Sequence, residues 1–192
     1  RSPSRGLGDV YKRQDLCCRT YDCRTHYCQV LFPLSFQIGF AKNTECVELA
    51  NLSRDYIESG LHWRWKPARL LKLIQHPDCV VITARQQSLV QGFAAMEFYP
   101  RHCHLNLLVT KPEFRQQGLG ESLLLWLEES ARIAGQEYIK LEVRCQNTTA
   151  IRFYESRGYT IQEQCVGYYD GREDAYSMVH RLMSDEQAAQ RP

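Results

Sequence analysis

The apolar positions of this chain change period several times along its length. Residues 35–40 alternate as a short strand does. Asn43 and Thr44 can cap a helix, and beyond them Val47, Ala50, Leu52 and Ile57 recur at helical spacing up to Gly60, which predicts a helix over 45–59. A second helix is predicted from Pro67, a favoured first-turn residue, through Leu70, Leu71 and Ile74, ending before Pro77. Residues 79–84, 89–99 and 103–109 then read as strands, separated by a turn at 85–88 and by Pro100-Arg101. Three sequential strands suggest an antiparallel meander, and Gly92 inside the second marks a bulge or a close backbone approach.

The period then lengthens. Leu119, Leu123, Leu124, Trp126, Leu127, Ala131 and Ala134 lie on one helical stripe, closed by Gly135. Residues 137–145 alternate, with Ile139, Leu141, Val143 and Cys145 on one face and Lys140, Glu142 and Arg144 on the other. Asn147 is a suitable cap for a short helix carrying Ala150, Ile151, Phe153 and Tyr154, which Gly158 ends. Residues 159–169 and 175–182 read as a hairpin around Asp170-Gly171, before a polar tail. A strand, a helix and another strand make a βαβ unit, so strands 105–109 and 137–145 are expected to be parallel neighbours. The class is α/β, an α+β mixed sheet flanked by helices.

Between the strand and the helix of that unit lies Arg115-Gln116-Gln117-Gly118-Leu119-Gly120. A helix start offers free N–H groups and a partial positive charge, glycines let an anion approach the backbone, and Arg115 adds a cation. The nucleotide P-loop would need Lys and Ser/Thr where Glu121 and Ser122 stand, and the dinucleotide fingerprint would need a third glycine where Leu123 stands. By itself the stretch is either an anion site or an ordinary glycine turn before a core helix.

Composition narrows the classes. Of 192 residues, 44% are hydrophobic, enough for a real core, and the net charge of +2 carries no strong nucleic-acid or membrane signature. No apolar run approaches a membrane span, and no signal peptide is evident. Cys46, Cys79, Cys103, Cys145 and Cys165 are scattered singly, which fits reduced thiols in a cytoplasm better than a disulfide framework. Residues 1–34 are expected to be a non-native or disordered leader. Within them Asp9-Val10-Tyr11-Lys12-Arg13-Gln14 resembles the in-frame translation of a transposase mosaic-end adapter. The rival for that segment is a zinc site from Cys17, Cys18, Cys23, His26 and Cys28, whose spacings are irregular. The domain is expected over 35–183 and the tail over 184–192.

The Pro112-x-Phe114-Arg115-x-x-Gly118-x-Gly120 pattern resembles the coenzyme A diphosphate loop of the GNAT acyltransferase superfamily. Leu141-Glu142-Val143-Arg144, Asn147, Ala150-Ile151, Tyr154-Glu155-Ser156-x-Gly158-Tyr159 and Tyr168–Ala175 look like its bacterial ribosomal-protein-alanine N-acetyltransferase (RimI) branch. The resemblance implies the GNAT fold, with two parallel strands that splay to admit the acetyl-pantetheine arm. It implies acetyl-CoA as co-substrate, no metal, and direct transfer of acetyl to a primary amine, foremost a protein N-terminal α-amine. A small amine, such as a polyamine, amino acid or drug, is the alternative acceptor, and a non-catalytic CoA sensor is the rival of a different class. A monomer or weak homodimer is expected, without nucleic acid or membrane.

Acetyl transfer to an ammonium needs a base, a polarised carbonyl and a proton for the leaving thiolate. Glu142 is the candidate base, its carboxyl expected to rise toward neutrality through burial, and its bland alternative is a salt bridge to Lys140 or Arg144. Tyr154 is the candidate acid, expected to face one cleft with Glu142, its bland alternative a core tyrosine. Leu108, Val109 and Thr110 would pair with the pantetheine amides, the N–H near Val109 would polarise the carbonyl, and Asn147 would touch pantetheine or cap its helix. The diphosphate would lie on Arg115, Gln116, Gln117, Gly118, Leu119, Gly120 and Glu121, with Gln116 standing where relatives often carry a second Arg. Trp63 and Trp65 either line an acceptor groove or plug helices onto the sheet. The hairpin at 168–175 is shorter than in enterobacterial relatives, and the Trp-rich first half is unlike them, so the acceptor is left open.

Overall fold

The computed structural model describes residues 36–182. The leader, the zinc alternative and the tail all lie outside those residues. Seven strands form one sheet in the order β1-β2-β3-β4-β5-β7-β6. They are β1 (Gln37–Phe40), β2 (Cys79–Gln86), β3 (Leu89–Phe98), β4 (His102–Thr110), β5 (Tyr138–Arg144), β6 (Thr160–Tyr169) and β7 (Glu173–Arg181). Helices α1 (Cys46–Tyr56) and α2 (Pro67–Gln75) cover one face; α3 (Leu119–Ile133) and α4 (Thr148–Glu155) cover the other.

The elements follow the apolar pattern, with shifts at their ends. The first helix begins as a 3-10 turn over Asn43–Glu45 and stops at Tyr56, short of residue 59. Glu58 is turned inward there, and its carboxylate accepts the main-chain N–H of Arg64 and Trp65 and the Ser53 hydroxyl. The turn expected at 85–88 shrinks to Gln87-Ser88, both at positive φ (49° and 68°), the two-residue geometry that suits the twist of a hairpin. Gly92 fills both expected roles. The β2–β3 register shifts beside it, and a Cβ at Gly92 would lie 2.7 Å from the Val109 carbonyl oxygen and 3.3 Å from Leu119.

The expected meander is present, with β2, β3 and β4 antiparallel in sequence. The expected parallel pair is present too, but short: β4 meets β5 only over His102–His104 against Tyr138–Lys140. Beyond His104, β4 runs on to Thr110 paired with β3 alone, so its other edge faces a gap. A bulge at Asn106, where the β3 register shifts, accompanies the parting of the strands.

Two apolar clusters flank the sheet. One packs α3 and α4 against Ile139, Leu141 and Val143 of β5. The other packs α1 and α2 against Phe93, Ala95, Leu107 and Val109. Trp63 and Trp65 are partly buried and pack against this second cluster.

Candidate functional site

The gap between β4 and β5 divides the site into two sides. On the α3 side, Gly118 takes φ 79° at the helix N-cap, and Gln116 is also left-handed at φ 58°. The first intrahelical bond is Ser122 N–H to the Gly118 carbonyl, so the N–H groups of Leu119, Gly120 and Glu121 precede the helical ladder. A Cβ on Gly120 would come within 3.6 Å of Thr110 and 3.9 Å of Phe153, which places that first turn at the end of β4 and against α4. These groups fit an anionic diphosphate by backbone alone. The loop's side chains have partners within the protein. Arg115 lies over the Tyr56 ring at 5.7 Å, Gln117 donates to the Glu113 carbonyl at 2.6 Å, and Glu121 pairs with Arg157 at 2.6 Å. Leu108 packs on the α3-side cluster and Val109 on the opposite one, while Thr110 ends the strand. The Asn147 side chain accepts the Ala150 N–H at 3.1 Å and so caps α4.

Tyr154 is a buried member of the α3-side cluster, edge-on to Phe153 and Tyr159. Burial, and then the nearby Tyr169, push its hydroxyl pKa well above the ordinary tyrosine value, so it is protonated throughout the neutral range. Tyr154 shares its cluster with Leu141 and Val143, whose side chains leave β5 on the face opposite Glu142. The two candidates are therefore presented from opposite faces of the sheet, and Tyr169 interacts with both.

On the other side, the Glu142 side chain is 8% exposed and has three polar neighbours. His104 Nε2 lies 2.6 Å from Oε2, the Tyr168 hydroxyl donates to the same oxygen at 3.1 Å, and Lys140 Nζ lies 3.4 Å from Oε1. The Tyr169 hydroxyl donates to the Glu142 main-chain oxygen at 3.3 Å. Burial raises the carboxyl, as expected. The hydrogen bond and charge of His104, then Lys140 and Tyr168, outweigh it and hold Glu142 below the usual carboxylate range. The expected rise toward neutrality is thus reversed, because the pocket that removes water also supplies donors. Of the two salt-bridge alternatives, Lys140 is present. Arg144 turns away, to Glu173 at 3.3 Å and to the main-chain oxygens of Ile57 and Ser59 at 2.6 and 3.0 Å.

That last contact begins a latch. Asp170, at the tip of the β6–β7 hairpin, accepts the His62 N–H at 2.7 Å and Arg64 Nη2 at 2.9 Å. The α1–α2 connection (57–66) is thereby tied to both β5 and the hairpin. His104, Asn106, Glu97 and Tyr168 are polar residues of this side to which the sequence reading gave no role. A signal was available in β4, where His102, His104 and Asn106 alternate with apolar neighbours.

A mixed sheet with one short parallel pair, a glycine loop at the following helix start, and a carboxylate and a tyrosine across the gap define an acyltransferase of the GNAT kind. The chain belongs to the acetyltransferase (GNAT) family, whose model matches residues 46–159. It is 40% identical over 105 residues to N-alpha-acetyltransferase 20 of Dictyostelium discoideum, covering 54% of this chain and 61% of that protein. It is 34% identical over 97 residues to the ribosomal protein bS18-alanine N-acetyltransferase of Escherichia coli, covering 49% of this chain and 66% of that protein. The chain thus spans between about three-fifths and two-thirds of the length of these two curated relatives. Ard1 from Thermoplasma volcanium shares the fold with TM-score 0.70 at 21% identity, over 79% of this chain and 100% of that one. Among the described residues no group of side chains is arranged to hold a metal ion, and no helix is long and apolar enough to cross a membrane.

Proposed function

We propose that this chain transfers an acetyl group from acetyl-CoA directly to the α-amine of a protein N-terminus. The observation that carries the proposal is the parting of β4 from β5 beyond His104, with the glycine-rich helix start at one mouth and Glu142 at the other. The backbone N–H groups of Leu119, Gly120 and Glu121 would hold the diphosphate, and the unpaired edge of β4 at Leu108, Val109 and Thr110 would take the pantetheine amides. The co-substrate supplies an activated thioester. Glu142 takes a proton from the incoming ammonium so that the amine can attack, and an N–H near Val109 stabilises the carbonyl oxygen. Tyr154 gives its proton to the departing sulfur. Of the two protons the ammonium loses, one replaces that of Tyr154 and one is released.

An α-amine is preferred over a side-chain amine because both sequence relatives are named for such acceptors, one of them an alanine of a ribosomal protein. The RimI branch is the finer reading, supported by the Glu142, Asn147 and Tyr154 motifs. A reducing cytoplasm is the proposed compartment, since Cys79 and Cys103 are buried free thiols. The test is thiol release from acetyl-CoA with peptides that begin with Ala or Ser, beside a panel of polyamines and amino acids. Turnover with peptides is expected. Turnover with small amines alone would replace the acceptor, and CoA binding without turnover on any acceptor would make the domain a sensor.

A further inference from the structure

We propose that His104 is the proton sink of the acceptor side, so that Glu142 and His104 work as one base whose tautomer is set by Asn106 and Glu97. The proposal rests on the acetyl-transfer reading above and on a chain of contacts across β3, β4 and β5. Glu97 Oε2 accepts the Asn106 amide N–H at 2.8 Å. A carboxylate only accepts, so the Asn106 amide nitrogen must face Glu97 and its oxygen must face away. That oxygen lies 3.1 Å from His104 Nδ1 and only accepts in turn, so Nδ1 carries a proton. In a neutral imidazole the lone pair is then on Nε2, which lies 2.6 Å from Glu142 Oε2.

Two lone pairs facing each other at that distance repel. One shared proton turns the repulsion into a short charge-assisted hydrogen bond. The pair therefore has a defined empty state and a defined filled state. With the shared proton absent, a carboxylate and an imidazole both point at the same vacant proton position. With it present, the proton rests on the imidazole, because Lys140 and Tyr168 stabilise the carboxylate form of Glu142.

This resolves a difficulty in the mechanism. With Lys140 and Tyr168 holding Glu142 as the carboxylate, a proton taken from the ammonium needs a second acceptor, and His104 Nε2 lies 2.6 Å from Oε2. The ammonium N–H bond breaks as a Glu142 Oε2–H bond forms. That bond breaks as the His104 Nε2–H bond forms, and the imidazolium later loses the proton to water. No oxidant or further reactant enters. The other groups facing the pair are His102 on β4, Glu97 on β3, Lys140 on β5, and Cys165, Tyr168 and Tyr169 on β6. Lys140 and His102 oppose filling, and Glu97 favours it through Asn106.

His104 is a positioning residue, because it acts through Glu142. The experiment has two parts. In His104→Gln the amide can still donate to Glu142 but cannot take up its proton. We expect kcat at pH 7 to fall by about 10- to 100-fold, the KM for acetyl-CoA to hold, and the ascending limb of the kcat–pH profile to move. Within threefold of wild-type kcat on an unmoved profile, the proposal fails. Separately, nitrogen NMR of the histidine rings in the wild-type protein, assigned with His104→Gln, reads the tautomer without turnover. Nδ1–H is expected in the neutral ring at high pH, and Glu97→Gln is expected to mix the two tautomers. An Nε2–H ring in wild type overturns the proposal whatever the acceptor. If no acceptor is acetylated while Nδ1–H is found, the acetyl-transfer reading falls and the pairing of His104 with Glu142 stands.

Discussion

The two sides of the β4–β5 gap are built by different means. The α3 side comes from consecutive residues: a strand end, a glycine loop and a helix start within 108–121, with Tyr154 on the next helix. It offers backbone N–H groups and an apolar wall. The Glu142 side is gathered from five separate segments. Glu97, His104 and Asn106, Glu142, Tyr168, and the latched residues of 57–66 meet only in three dimensions. It offers side chains with charges and protons. A diphosphate and a pantetheine arm are the same in every turnover and can be bound by backbone. An amine must be chosen and deprotonated, which needs side chains of particular kinds.

If that division is right, variants on the two sides should fail differently. The largest effect is expected from Glu142→Gln, which removes the proton acceptor. The kcat should drop by roughly 10²- to 10³-fold while acetyl-CoA binding, read by calorimetry, is kept. Tyr154→Phe should follow at about 10²-fold in kcat, again with acetyl-CoA bound, since the ring that packs the cluster remains. Wild-type rates in both would dissolve the site. Gly92→Ala should strike the α3 side alone. Its Cβ would meet the Val109 carbonyl and the side chains of Leu119 and Leu123, which costs about 1–3 kcal/mol on denaturant unfolding. The KM for acetyl-CoA should rise with that loss, because the same β4 end and helix start frame the loop. An unchanged stability would mean that the close approach relaxes freely.

A smaller effect tests the packing behind α3. Glu128 is 3% exposed, one carboxylate oxygen has no hydrogen-bond partner, and Arg132 stands 4.0 Å away. Burial raises its pKa against the opposing pull of His180, Arg132, Tyr159 and Arg157. A carboxyl whose folded value is raised favours the folded state at low pH and costs stability as pH climbs from the unfolded toward the folded value. Glu128→Gln should therefore stabilise the protein by about 1 kcal/mol at pH 8 and by nothing at pH 4. Equal shifts at both pH values would contradict the assignment. The smallest effect is expected from Asp170→Asn, which keeps a residue tolerant of φ 55° but weakens the latch to His62 and Arg64. The peptide KM should rise by roughly two- to fivefold with the acetyl-CoA KM unchanged, as for loss of a partly exposed ion pair. A change in the acetyl-CoA KM instead would join the two sides that the comparison separates.

What was legible in the sequence was local. Periods of two and of about 3.6 residues marked the strands and helices. Gly118 and Gly120 marked the loop, and the strand–helix–strand order marked the parallel pair. Each of these depends on residues close together in the chain. The length of the β4–β5 pairing was not legible, since it depends on where the bulge at Asn106 turns the strand away from its neighbour. Nor was the face of Tyr154 relative to Glu142, because it is set by how α4 docks after β5 has fixed which side chains point inward. The sign of the Glu142 shift was decided by His104, thirty-eight positions earlier. Burial can be read from alternation along one strand, but a hydrogen-bond donor arriving from the neighbouring strand exists only once the sheet has formed. Sequence alone thus determined the scaffold and its backbone anion loop, and tertiary structure decided which side chains hold the proton.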